Sequence, residues 1–296
     1  MRPTHHLTSA VRGVVRRIVR VFTSGRRIQA LEADLTAARR ELRDARKELK
    51  STRKALKKAR VGAGEDSSTG KLPTVSLPPE VSTAIRQARE ERLTFLKENN
   101  LRELAAVVSS LDTDEIPGLI IEAGTARGGS AIVIATAKSP ARPMKVYDVF
   151  GLIPEPTDKD GADVHDRYRT IAAGEAQGQS GDTYYGYRED LYGEVTDSFS
   201  RLGVPTAENN VELVKGLFQD TIEIDGPVAF AHLDGDWYES TMTCLERIAP
   251  ALVSGGRIVL DDYYSWSGCR TAVDEYFADH PGFHFEQHAK LHVVRD

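Results

Sequence analysis

The sequence predicts a doubly wound α/β domain behind an N-terminal parallel coiled coil. Three observations predict it. Beyond Ile116, short apolar runs alternate with helical patterns, as strands do when crossover helices join them into a parallel sheet. Two of those runs, ending at Leu233 and Leu260, break off into carboxylates: Asp234 and Asp236 after the first, Asp261 and Asp262 after the second. Far upstream, Ile28, Leu35, Leu42, Leu49 and Leu56 recur every seven residues. Leu31, Ala38, Ala45, Thr52 and Ala59 each follow three positions later, giving the a and d positions of a heptad.

Charge divides the 296 residues sharply. Residues 1–60 hold 18 Lys and Arg against 5 Asp and Glu, and the remainder holds 21 against 39. An acidic main domain is poorly suited to phosphate backbones, so no nucleic-acid partner is expected. No apolar run reaches the ~18 residues of a spanning helix. Cys244 and Cys269 have neither metal-ligand nor redox spacing, which makes a reducing cytoplasm the default location.

In residues 1–27, Leu7, Val11, Val14, Ile18 and Val21 follow helical spacing while Arg12, Arg16, Arg17 and Arg20 fall mostly elsewhere around the wheel. Such a basic amphipathic helix suits an anionic membrane surface, peripherally at its inner face; a solvated basic tail is the alternative. Arginines interrupt every apolar run, unlike a secretory signal. Across residues 28–60, Asp34, Glu41 and Glu48 at g precede Arg39, Arg46 and Arg53 at e. That pairing favours parallel, in-register self-association as a dimer or trimer. Residues 61–79, rich in Gly, Ser and Pro, read as a linker.

The domain then occupies residues 80–296. Helices are expected over Val81–Glu98 and Leu101–Leu111. Strands are expected at Leu119–Glu122, Val146–Val149, Val211–Val214, Val228–Leu233 and Ile258–Leu260, with Phe283–Gln287 and His292–Val294 as an antiparallel edge. An insertion at 151–187, rich in Gly, Asp and Tyr, is too long for an ordinary connection and suggests a lid or substrate loop.

Ligands of an open parallel sheet bind beyond the carboxyl ends of its strands. Two adjacent strands ending in acids would gather Asp234, Asp261 and Asp262 there. Mutual repulsion would force protonation unless a cation joined them, and hard oxygen donors with room for substrate suit Mg²⁺. Helix capping is the plainer reading for either acid alone. The turn Gly124-Thr125-Ala126-Arg127-Gly128-Gly129-Ser130, after the first strand, lets backbone N–H groups approach a ligand closely. Its spacing is not the dinucleotide G-x-G-x-x-G pattern. Asp148, ending the second strand, is placed to accept both hydroxyls of a ribose, or else it is a turn residue.

Glu-x-Gly-x-x-x-Gly-Gly-Ser from Glu122, the Asp148 strand end, Leu233-Asp234-Gly235-Asp236-Trp237-Tyr238-Glu239-Ser240-Thr241, Gly255 to Tyr263, and Trp266-x-Gly268-Cys269-Arg270-x-Ala272-Val273 together resemble the macrocin O-methyltransferase family. The resemblance covers roughly residues 115–280. It implies a class I, Rossmann-like methyltransferase domain that uses S-adenosylmethionine and Mg²⁺ to methylate sugar hydroxyls. By that likeness Asp234, Asp261 and Asp262 are metal ligands and Asp236 is the general base. Glu122, Gly124, Thr125, Ser130 and Asp148 would line the cofactor pocket, with Asp220 near the adenine. The insertion, with Asp163, His165, Tyr184 and Tyr185, is not part of the antibiotic-tailoring pattern.

In-line methyl transfer demands positioning and deprotonation of a weakly acidic hydroxyl, both of which a cation on two vicinal hydroxyls assists. His165 is a weaker base candidate than Asp236. Trp237, Tyr238, Tyr263 and Trp266 could stack on a sugar face or simply pack. The expected acceptor is a glycan or glycosylated metabolite. A catechol-like vicinal diol, an NAD-dependent oxidoreductase and a coiled-coil scaffold with a silent domain are the rival readings.

Overall fold

The computed structural model describes residues 76–296, with Arg40 in the arm as well. The amphipathic segment 1–27, the heptads of 28–60 apart from Arg40, and nearly all of the linker 61–79 lie outside the described residues.

Two helices precede the sheet. In α1 (Pro79–Glu90), proline opens the first turn, and Val81, Ala84, Ile85 and Ala88 form one buried stripe at the i, i+3, i+4, i+7 spacing of an amphipathic helix. The expected helix over Val81–Glu98 stops early. Leu93 N–H returns to the Ala88 carbonyl at 2.8 Å and Arg92 adopts φ 56°. This is a Schellman stop with arginine where glycine usually sits. The extended stretch that follows carries Thr94–Leu96 toward the sheet before α2 (Glu98–Thr113) begins.

The remaining elements are β1 (Leu119–Ala123), α3 (Gly129–Ala137), β2 (Met144–Asp148), α4 (Ala162–Ala172), α5 (Leu191–Arg201), β3 (Val211–Lys215), the one-turn α6 (Phe218–Thr221), β4 (Val228–Leu233), α7 (Tyr238–Ile248), β5 (Leu252–Leu260), α8 (Ser267–Ala278), β6 (Phe283–Gln287) and β7 (Leu291–Arg295). The seven strands run in the order β3-β2-β1-β4-β5-β7-β6. β1 to β5 pair in parallel, and β7 is antiparallel to both β5 and β6.

Strand side chains alternate between two cores, as the two-residue period requires. Ile120, Phe230 and Val259 face the layer of α1, α2, α3 and α5; Ile121, Ala231 and Ile258 face that of α7 and α8. Where a strand is buried on both faces, as β4 is along its whole length, it reads as a nearly continuous apolar run. The insertion builds a third small core from Ile153, Val164, Ile171, Ala176 and Tyr184 against Trp237. It is stitched to the domain. Asp160 accepts the N–H of Tyr238 at 2.8 Å and Asp163 accepts that of Ser267 at 3.0 Å, satisfying free donors where α7 and α8 begin.

Candidate active site

The strand order reverses between β1 and β4, because β2 and β3 lie to one side and β5 to the other. At such a switch point the loops leaving neighbouring strands part and leave a crevice. Here a cavity of about 630 Å³ opens, within the ~300–1,000 Å³ usual for small-molecule sites. Its wall is narrow at the base. Gly124 has φ 88°, and a Cβ there would stand 1.9 Å from the Asp234 carbonyl oxygen, so only glycine lets the two loops touch.

One half of the cavity is built by the glycine loop. Glu122, fully buried at the end of β1, accepts a hydrogen bond from the Ser130 hydroxyl. Asp148 braces the loop from β2. Its Oδ2 accepts the N–H groups of Thr125 and Ala126 at 2.8 and 3.2 Å, and its Oδ1 accepts that of Phe150 at 2.6 Å. Burial raises its pKa, against those three bonds. Both oxygens therefore already serve the backbone, and only their second lone pairs are left for a ribose. Arg127 ties the loop to its surroundings, reaching the Arg92 carbonyl at 3.2 Å and Asp182 of the insertion at 3.3 Å. Asp220 is exposed and outside the lining; Leu217, Phe218 and Gln219 of the same turn form that part of the wall.

The other half is acidic. Carboxylate oxygens of Asp234, Asp236 and Asp262 lie within 4.8 Å of one another. Asp236 sits in a left-handed turn, φ 57°, and donates its N–H to Asp262 Oδ2 at 3.1 Å. Burial, followed by the charges of Asp234 and Asp261, pushes its pKa up to about 8. Asp234 and Asp262 are also raised, first by burial and then by neighbouring carboxylates. The third expected ligand, Asp261, faces other partners. Its Oδ2 lies 2.6 Å from Lys290 Nζ and its Oδ1 lies 3.6 Å from His232 Nε2. Burial works against its ionisation, but His232 and Lys290 win and its pKa is lowered.

Two of these residues escape sequence reasoning. His232, fully buried in β4, has Glu122 Oε1 3.4 Å from Nδ1. Burial opposes its charge, yet the bonds and charges of Asp261 and Glu122 raise its pKa to about 10. A lone polar residue inside Val228–Leu233 was the available signal. Lys290, in the turn between β6 and β7, carries no motif at all.

Of the four aromatics, Trp237 and Trp266 line the cavity, their rings 5.7 Å apart. Tyr238 and Tyr263 lie outside it and bond Glu275 and Asp274. His165 is not in the wall either; the insertion is represented there by Gly151, Ile153 and Pro154 near its start and by Arg167, Ile171, Tyr184 and Tyr185 farther on. A second cluster, Glu286, His288 and His292, is closed by Arg257, which bonds both Glu286 and His292.

A sheet of this order, with a glycine loop after β1 and acids after β4 and β5, defines a class I, Rossmann-like methyltransferase fold. The O-methyltransferase NovP shares it, at a TM-score of 0.59 and 21% identity over 73% of this chain and 97% of that one. In sequence, the chain is 33% identical over 189 residues to 8-demethyl-8-(2,3-dimethoxy-alpha-L-rhamnosyl)-tetracenomycin-C 4'-O-methyltransferase of Streptomyces olivaceus, covering 62% of this chain and 67% of that protein. It is 28% identical over 198 residues to demethyldecarbamoylnovobiocin O-methyltransferase of Streptomyces niveus, with 62% and 68% covered. The profile of macrocin-O-methyltransferase (TylF) matches residues 82–282. The chain belongs to that family and is a methyltransferase.

Proposed function

We propose that the protein moves the methyl group of S-adenosylmethionine to a sugar hydroxyl, with Mg²⁺ held by the acids after β4 and β5. The observation that carries this reading is that Asp234 and Asp262 converge in the cavity beside the glycine loop, with the carboxylate of Asp236 next to them. The residues fit a hard divalent ion: every donor is a carboxylate oxygen, and burial, with the charges of neighbouring acids after it, raises the pKa values of Asp234 and Asp262, a cost that a bound cation would relieve. The donor side fits as well. Glu122 Oε2 and Thr125 Oγ1 are buried without a hydrogen-bond partner, as groups awaiting a polar ligand are. The rhamnosyl compound in the name of the Streptomyces olivaceus relative supports a sugar acceptor.

Bound Mg²⁺ would make a coordinated hydroxyl more acidic and fix its direction. The rest falls to the chain. Asp236, with a pKa near working pH when no cation is present, accepts the hydroxyl proton on its carboxylate. The hydroxyl oxygen then bonds to the methyl carbon as the carbon–sulfur bond breaks, and its electron pair leaves with the sulfur. Trp237 and Trp266 wall the acid side and exclude water. The glycine loop, braced by Asp148, holds the donor in line.

The same reading extends to the arm. From the sequence of the arm we propose that residues 28–60 self-associate as a parallel coiled coil and that residues 1–27 bind an anionic membrane surface, which would place several catalytic domains on one stalk. That arrangement raises the effective concentration of a lipid-tethered glycan. Among the described residues no helix is long and apolar enough to cross a membrane. The deciding experiment is a methyl-transfer screen over glycan and nucleotide-sugar acceptors, read by mass with and without chelator. A chelator-sensitive gain of one methyl group is expected; full activity without any divalent ion refutes the metal.

A further inference from the structure

The two acids after β5 have different company. Asp262 turns toward Asp234 and Asp236. Asp261 is gripped from both sides, by His232 at 3.6 Å and by Lys290 at 2.6 Å, and the Lys290 ammonium also donates to the Asp261 main-chain carbonyl at 2.8 Å. Lys290 lines the same cavity as the acid cluster. With Glu122 3.4 Å beyond His232, four ionisable side chains stand in a row, supplied by β1, β4, the end of β5 and the β6–β7 turn. Glu122 and His232 are register partners on adjacent strands, so the sheet itself sets their spacing.

The turn that delivers Lys290 is anchored. Glu286 accepts from Arg257, and His288 Nε2 lies 3.1 Å from the same carboxylate. Across the turn, His292 contacts Arg257 at 3.0 Å and Glu103 at 2.8 Å. The backbone of the turn is thus fastened to β5 and α2, while the lysine is a point charge on a flexible stem. Such a group can hold a carboxylate and also release it.

We propose that Lys290 is a tethered counter-ion of the metal site, holding Asp261 while no divalent ion is bound and opposing Mg²⁺ there, so that it sets the metal affinity. This rests on the metal reading above. Lys290 is a positioning residue; it acts through Asp261 and touches no reacting atom. A positive charge tethered beside a buried cation site repels the incoming ion with little solvent screening, and while it holds Asp261 it occupies an oxygen the ion would otherwise share. Removing it should strengthen metal binding, the opposite of what damage to the fold would do.

The test is calorimetric titration of Mg²⁺ into the full chain, as wild type, Lys290→Gln, Lys290→Arg, Asp261→Asn and the Lys290→Gln/Asp261→Asn double variant. Lys290→Gln should bind Mg²⁺ ~10-fold or more tightly than wild type, and Lys290→Arg, which keeps the charge, should stay near wild type. The gain should shrink in the Asp261→Asn background, because the two residues act on one another. Binding by Lys290→Gln alone, with none by wild type, would be the same result in extreme form. Equal or weaker binding by Lys290→Gln overturns the role of the lysine and leaves the metal site standing. Absence of Mg²⁺ binding from both proteins overturns the two together.

Discussion

Asp236 is the acid of the cluster whose backbone lies in the left-handed region, at φ 57°. For a residue other than glycine that conformation costs ~1–3 kcal/mol, and here it folds the carboxylate back over Asp262, whose side chain accepts its N–H. Replacing Asp236 by Asn keeps size and backbone preference while removing the basic oxygen. The expected result is nearly unchanged Mg²⁺ affinity with a methyl-transfer step slower by ~10²-fold or more in single-turnover kinetics. Loss of Mg²⁺ binding with the rate kept at saturating metal would show that Asp236 is a ligand instead. Proton linkage gives a second residue-scale prediction. The pKa of Asp236 rises on folding from 3.8 to about 8, so between those values the folded state holds a proton that the unfolded chain has lost. Stability of the metal-free protein therefore falls as pH rises through that window. His232, raised from 6.5 to about 10, acts in the same direction: its contribution is complete below 6.5 and is lost as pH climbs toward 10. The metal-free melting temperature should be lower at pH 8 than at pH 6, and Mg²⁺ should raise it more at pH 8, where it displaces fewer protons. A Mg²⁺ shift that is larger at pH 6 contradicts this assignment.

At the scale of elements, what was legible in the chain follows from the strength of each local signal. β4 and the last residues of β5, Ile258–Leu260, were readable because those buried stretches are almost wholly apolar and their ends are abrupt; the acids after Leu233 and Leu260 stand where the runs stop. The end of α1 was not readable. Arg92 fills a position that usually announces itself as glycine, so the helix pattern runs on to Glu98 in sequence and breaks at Glu90 in space. Lys290 was invisible for another reason: its meaning depends on β7 lying between β5 and β6, a pairing that no local pattern encodes. The strand ends and the family likeness both put Asp234, Asp261 and Asp262 together, whereas the folded chain groups Asp236 with Asp234 and Asp262 and places Asp261 beside His232 and Lys290. Length and composition made the insertion look like a lid or substrate loop, and neither announces that Asp160 and Asp163 fasten it to the starts of α7 and α8. Asp160→Ala would free the Tyr238 N–H and should cost ~0.5–2 kcal/mol, in line with other capping losses. Urea unfolding would report that loss, and amide exchange should show residues 151–187 opening more readily. Unchanged protection there would mean that the third core, rather than the cap, secures the insertion.

For the molecule as a whole, the described domain carries its own sheet, its own cores and every candidate site residue, so the arm is free to serve another purpose. Deletion of residues 1–60 is expected to leave a folded domain that still methylates soluble acceptors but has lost its oligomer, as judged by light scattering. The intact chain should bind anionic vesicles, less so as salt rises, since basic residues near such a surface contribute ~1 kcal/mol each before screening. A truncated domain that keeps its oligomer, together with an intact chain that ignores vesicles at low salt, would separate the arm from both roles.

The position of β7 bears on how the protein is made. It follows β6 in the chain yet lies between β5 and β6 in the sheet, so β5 has an open edge until residues 291–295 have left the ribosome. At ~5–20 residues per second, synthesis of the stretch from Leu260 to Arg295 takes on the order of seconds, during which the strand that covers the β5 edge does not yet exist. A nascent chain therefore acquires its acids before its counter-ion and its last strand. A released chain that ends near Phe285 should display a sheet edge that chaperones, or the β5 edge of another such chain, can reach.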